Sequence, residues 1–319
     1  MSNQFLDNVK KGKNTWWSYL ITISSSWVVG TIIAGILFSF IISSYFIFTG
    51  NLNMDDVVNI MTNFESNPVT FFLLIFLSFT FSTILFYICV KFIHKKSLMS
   101  LINASKEKDI SGRSISWIKR IRWDRIIKGG LIWLIFLSIT QIIQYAYNPN
   151  SFSINFNIAN IALMILLFII AIPIQITFEE LFFRGYLNQA ISLKIKSPIV
   201  IILISSLIFS MGHIVNGGNN VIFMIQNVSI TFMIGIILSG FTLVDNGIEL
   251  AIGAHLTNNF FALLINSAEG SLGGFNTIIQ TVESDPIVEL LFSIITLLIF
   301  TIILFLYKKE KILKALSIE

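Results

Sequence analysis

The chain of 319 residues has one cysteine, five prolines and charged side chains at only 12% of its positions. The single thiol, Cys89, excludes a disulfide within the chain and any cysteine-based zinc cluster, because each needs several thiols. Globular domains carry about 25% charged residues, so half that density leaves too little polar side chain to cover a protein of this size in water. No HExxH is present, which excludes the usual single-helix zinc-peptidase arrangement, and no GxSxG marks a serine nucleophile. There is also no internal repeat, low-complexity tract or linker that would divide the chain, so residues 1–319 read as a single integral membrane domain.

Apolar side chains fill the remainder: 55% of residues are hydrophobic, 30 are Phe and the mean hydropathy is +0.83. A spanning helix needs roughly 20 apolar residues. Runs of that kind extend over about Tyr19 to Phe48, Pro68 to Phe92, Ile126 to Tyr145, Ile158 to Thr177, Ile199 to Val215, Val221 to Val244, Leu250 to Ser267 and Ile287 to Tyr307. An all-α, polytopic membrane protein of about eight transmembrane helices is therefore expected, its first run an anchor with no small-residue cleavage site. The lipid bilayer is its solvent, and no nucleic-acid partner is implied by the net charge of +4.

Basic residues near membrane ends collect on the cytoplasmic side. All 21 Lys and Arg fall in four segments: before the first run, from Lys91 to Lys128, from Arg184 to Lys196, and after the eighth run. The alternate segments hold only acids, namely Asp55, Asp56, Glu65, Glu269, Glu283 and Asp285. Eight helices with both termini cytoplasmic fit this pattern; the short Asp245 to Glu249 connection fits least well, since it has no basic residue. Trp117, Lys119, Arg120, Arg122, Trp123 and Arg125 read as a positive-inside loop with a Trp belt, or alternatively as a lipid or partner site.

Ionisable groups inside membrane segments are costly and mark function. Of three histidines, His94 reads as a surface residue beside Lys95 and Lys96, whereas His213 and His255 lie in apolar runs. The acid pair Glu179 and Glu180 lies in IPIQITFEELFFRGYLNQA. Glu180 and Arg184 are four residues apart and share a helix face, so the carboxylate can neutralise the guanidinium. Glu179 points about 100° away, free to face a cavity. Phe209 and His213, and His255 and Asn259, have the same spacing. Counted from the intervening turns, Glu179 lies about 24 Å and His213 about 27 Å along their helices, and His255 and Asn259 about 14 and 20 Å. The groups can thus meet in the cytoplasmic half of the membrane, reached from the cytoplasmic side. Pro173 is expected to loosen the helix ahead of Glu179.

A carboxylate and an imidazole that hold one water form a general-base pair, and a second His with an Asn supplies donors for a developing oxyanion. This set describes hydrolysis of an acyl bond, most simply a peptide bond in a hydrophobic or membrane-associated substrate. It also resembles a metal site, since Glu179, His213 and His255 could bind one zinc ion and leave a position for water. Two non-hydrolytic readings stand beside these: a non-catalytic scaffold that regulates an unidentified partner protein, and a transporter with Glu179 and His213 as a proton relay.

At these residues the chain resembles the CPBP family of intramembrane peptidases, the CAAX-protease and bacteriocin-processing (Abi) group. EExxxR matches Glu179, Glu180 and Arg184; FxxxH matches Phe209 and His213; HxxxN matches His255 and Asn259. The motif-bearing core runs over 158–265. The resemblance implies that Glu179 and His213 activate water, that His255 and Asn259 stabilise the oxyanion, and that Glu180 and Arg184 hold the site together. It favours a glutamate mechanism with no metal cofactor, and a role in peptide processing, bacteriocin self-immunity or signalling. The Ile, Asn, Lys and Phe bias suggests an AT-rich bacterial genome, which makes a prenylated substrate a poor choice.

Overall fold

The structure, a computed structural model, describes residues 3–50, 55, 58, 67–105, 114–217, 221–268, 277–281 and 285–316. The acids Asp56, Glu65, Glu269 and Glu283 and the basic residues Lys106, Lys108 and Arg113 lie outside these. Eight apolar helices account for the eight apolar runs: α1 (Trp16–Thr49), α2 (Pro68–Ile93), α3 (Trp123–Tyr147), α4 (Ile158–Ser192), α5 (Pro198–Met211), α6 (Val221–Asp245), α7 (Glu249–Ile265) and α8 (Pro286–Leu316). Six are long and apolar enough to cross a membrane, whereas α5 and α7 are shorter. The chain is therefore an all-α multi-pass membrane protein, with six helices of spanning length and two shorter apolar helices among the described residues. Its outward faces carry large apolar side chains such as Ile36, Phe40 and Ile303, as a lipid solvent requires.

Local sequence sets the helix ends. Asn67 accepts from the Val69 and Thr70 amides ahead of α2, with Pro68 at the first helical position, where its missing N–H costs nothing. Asn157 and Ser197 cap α4 and α5 in the same way. Pro173 does not interrupt α4; the helix runs through it and widens later, into a π-helical stretch at Glu180–Leu187. A feature absent from the apolar pattern is a three-stranded sheet of β1 (Phe152–Ile154), β2 (Asn266–Ala268) and β3 (Ile279–Thr281), in the order β1-β3-β2. It joins the end of α3, the end of α7 and the approach to α8 on one face.

Helices approach most closely where side chains are smallest. A Cβ at Gly129 or Gly253 would run into the backbone of the facing helix, at Leu250 and Ile126 respectively, so α3 and α7 touch backbone to backbone. Gly30 against Ser82 and Gly235 against Ser206 do the same for α1 with α2 and α5 with α6. This is the small-residue packing expected when lipid removes the hydrophobic drive between helices.

The opposite face from the sheet is basic, and it is more ordered than a charged loop would be. Arg122 pairs with Asp245 (3.0 Å) and Glu249 (2.5 Å), and Asn103 donates to Glu249. Arg125 (3.4 Å) and Lys311 (3.5 Å) also reach Asp245. Asp245 and Glu249 are both buried. The α6–α7 turn lacks its own basic residue because cations from the α2–α3 connection and from α8 neutralise it. His94, expected at the surface, is instead buried, at 2% exposure. Its Nδ1 donates to the Lys13 carbonyl (2.8 Å), which leaves Nε2 to accept from the Tyr186 hydroxyl (2.9 Å). The sequence misled here because an apolar N-terminal segment folds over the loop: Phe5 and Leu6 pack into the same cluster as Phe86, Leu101 and Tyr186.

Two predictions follow from this packing. Gly253→Ala should cost about 1–3 kcal/mol of stability through overpacking, whereas Gly240→Ala, with open space at its Cβ, should be neutral or slightly stabilising; thermal unfolding in detergent separates them. Lys96 is buried, its Nζ 2.5 Å from Gln189 Oε1, and burial, with the charge of Lys11 second, lowers its pKa from 10.5 to about 7. The folded state then binds fewer protons than the unfolded state between pH 7 and 10.5, so Lys96's contribution to stability rises with pH across that window. Lys96→Met should remove that rise from a melting-temperature series.

Candidate functional site

The three motif segments meet on α4, the end of α5, and α7. On α4, Glu179 and Glu180 stand at the start of the π-helical stretch, a local widening that is frequent at functional sites. Glu180, fully buried, places Oε1 2.9 Å from Arg184 Nη1 and 2.7 Å from His255 Nδ1. One carboxylate oxygen thus joins the first motif to the third. Because a carboxylate only accepts, His255 donates through Nδ1, and its Nε2 faces Glu179 Oε2 at 3.7 Å.

Glu179 is also buried. Its Oε1 accepts from Gln175 Nε2 (3.2 Å), while Oε2 has no hydrogen-bond partner among the described residues. His213 stands just past the end of α5, with Nδ1 donating to the Phe209 carbonyl (3.0 Å). That bond leaves Nε2 as the free lone pair of the neutral ring. Glu179, Arg184 and His255 all lie within electrostatic reach of His213.

Phe209 is the wall these groups share. Its ring lies 4.7 Å from the His213 ring and 5.9 Å from the His255 ring, and the Arg184 guanidinium sits over it at 4.1 Å. A cation over an aromatic face, together with an ion pair of 2.9 Å, offsets the desolvation of a fully buried guanidinium.

Five of the six residues singled out by the sequence therefore fall in one neighbourhood, and Asn259 stands one helical turn beyond His255 on α7, with two additions to their pairing. His255 Nδ1 is also tied to Glu180, and Asn259 accepts from Asn258 at 3.4 Å. Glu179 is not wholly free, because Gln175 holds one oxygen. Gln175 was missed, although it stands four residues before Glu179 in an otherwise apolar run. Asn188 was missed as well; it is fully buried four residues after Arg184, and neither end of its amide has a partner among the described residues.

Zinc at Glu179, His213 and His255 would need three donors converging on one point. Among the described residues, no group of three or more His, Cys, Asp or Glu is arranged to hold a metal ion. Each histidine spends Nδ1 on a protein acceptor, which leaves Nε2 as the nitrogen that faces the site.

Residues 159–261 match the Rce1-like family model, described as type II CAAX prenyl endopeptidase. The matched segment contains all three motifs, in agreement with the resemblance they carry. Over the whole length, the chain is similar to the uncharacterized protein YyaK of Bacillus subtilis, with 27% identity over 97% of this chain and 98% of the relative. No solved structure matches.

If Glu180 is shared between Arg184 and His255, removal of the cation should cost more than removal of the polarity at Glu179. Arg184→Ala should lower stability by about 3–5 kcal/mol by leaving a buried carboxylate uncompensated. Glu179→Gln, which keeps shape and the bond to Gln175, should stay within about 1 kcal/mol. Melting of the two purified variants in detergent checks the order, and equal losses would contradict it.

Proposed function

We propose that the protein is an intramembrane endopeptidase that hydrolyses a peptide bond in a hydrophobic or membrane-associated peptide or protein, with its basic face in the cytoplasm of a bacterial cell. The observation that carries the reading is Glu179 Oε2, buried, without a hydrogen-bond partner among the described residues, and 3.7 Å from His255 Nε2. A buried carboxylate oxygen with no partner among the described residues needs a donor beside it, and a water fills that role.

In this reading Glu179 takes a proton from the water as its oxygen attacks the carbonyl carbon, and His213 Nε2 accepts the water's other hydrogen to orient it. The carbonyl π pair moves onto oxygen. His255, held through Nδ1 by Glu180, turns Nε2 toward that oxyanion as a hydrogen-bond donor, together with the Asn259 amide. When the C–N bond breaks, Glu179 returns its proton to the leaving nitrogen. Arg184 does not touch substrate; it holds Glu180, and through it the imidazole of His255. No metal enters these steps.

The match to a CAAX-type endopeptidase family supports hydrolysis as the class of chemistry. Prenyl recognition does not follow from it. Peptide processing, bacteriocin self-immunity and signalling are the outputs compatible with such an enzyme, while a scaffold acting on a partner protein would not need Glu179 Oε2, which has no partner among the described residues.

The test compares membrane-associated and secreted peptides by mass spectrometry from cells that carry the wild-type protein or Glu179→Gln at equal levels. Loss of general-base catalysis should lower product formation by about 10²–10⁴-fold, with a longer precursor accumulating. Unchanged peptide profiles and full complementation by the variant would overturn the reading in favour of the scaffold.

A further inference from the structure

The site is sealed on one side and open on the other. Toward the basic face, Glu180, Arg184, Asn188 and Gln189 are all 1% exposed or less. Below them the N-terminal helix Gln4–Asp7 and the short helix Met99–Ile102 close the bundle, with Phe5 and Leu101 fully buried. The Leu101 carbonyl lies so close to Gly185 that no side chain fits there.

Toward the sheet face the gradient reverses. His213, Asn259, Asn258 and Gln175 are half-buried. Polar groups of this kind are not left facing hydrocarbon, where each would forfeit its hydrogen bonds, so their partial exposure is to water. Helix lengths explain the opening. α5 has 14 residues, or about 21 Å, which is less than the roughly 30 Å of a bilayer core. It starts at the basic face, directly after Lys194 and Lys196, so its shortfall lies wholly on the far side, above His213. There the chain turns through Ile214–Gly217. The same face carries a polar cavity of about 360 Å³ at the ends of α3, α6 and α8, whose lining includes Gln144, Asn148, Gln226, Asn266 and Glu289.

We infer that the site opens on the face opposite the basic cluster, and that its substrate is a peptide segment presented from that face. The inference reverses the access side expected from the sequence. It deepens the peptidase reading and rests on it for the word substrate, but the opening itself is measured without hydrolysis.

The experiment is labelling by a charged, membrane-impermeant maleimide. Cys89 is the only cysteine of the chain, so Cys89→Ala gives a silent background. Into it go single cysteines at Asn259 in the site, Asn216 at the proposed mouth, Lys194 as the marker of the basic face and Asn155 as the marker of the sheet face. Intact cells and sealed inverted vesicles expose opposite faces. Asn259→Cys and Asn216→Cys should label in whichever preparation labels Asn155→Cys, and be protected where only Lys194→Cys labels. Labelling of Asn259→Cys alongside Lys194→Cys would overturn the inference. So would protection in both preparations with labelling only after solubilisation in detergent. If Asn259→Cys is not recovered in folded form, the Asn216→Cys result decides. Far-side labelling with an unaffected Glu179→Gln phenotype would leave the opening in place and remove the peptidase reading alone.

Discussion

A single buried oxygen, Glu180 Oε1, ties the candidate site together. It lies within 3 Å of both the Arg184 guanidinium and the His255 imidazole, in a region with almost no solvent exposure. Charges in such a setting are expensive unless paired, and the pairing links α4 to α7 as firmly as any apolar contact. The orientation of His255, the direction of its Nε2, and the separation of that atom from Glu179 all depend on it. Phe209 extends the same constraint to α5, since one ring contacts His213, His255 and Arg184 at once.

The scaffold makes this arrangement possible through small residues and unequal helix lengths. Gly129 and Gly253 let α3 press against α7, which fixes the height of His255. Buried Glu249 at the start of α7 is held by Arg122, so the same helix is anchored at the basic face six residues before the histidine. A short α5 then ends beside Glu179 instead of crossing the membrane, and the space it leaves is what admits water. Stability is concentrated at the basic end and access at the other.

Much of this was legible in the sequence, and the reasons are specific. Apolar runs located the apolar helices and with them the multi-pass architecture, because lipid demands an apolar surface on every spanning segment. EExxxR, FxxxH and HxxxN stood out because ionisable groups are so rare in these helices. The pairing between helices was not legible: an i, i+4 spacing shows which residues share a face, not which neighbour that face meets, and so the bond from His255 to Glu180 was not foreseen. His94 was misjudged because the segment that buries it, around Phe5, is remote in sequence. The sheet escaped because three-residue strands carry no period, and the Arg122–Glu249 pair because a loop charge and a turn acid 127 positions apart leave no local signal.

The central claim is that Glu180 holds His255 through Nδ1. With only three histidines in the chain, ¹⁵N-histidine labelling and solid-state NMR in lipid can resolve each ring, with His255→Gln providing the assignment. The account predicts that His255 carries a proton on Nδ1 in the wild-type protein and that Glu180→Gln shifts that resonance while leaving His94 unchanged. A bare Nδ1 on His255, or a resonance indifferent to Glu180→Gln, would contradict it.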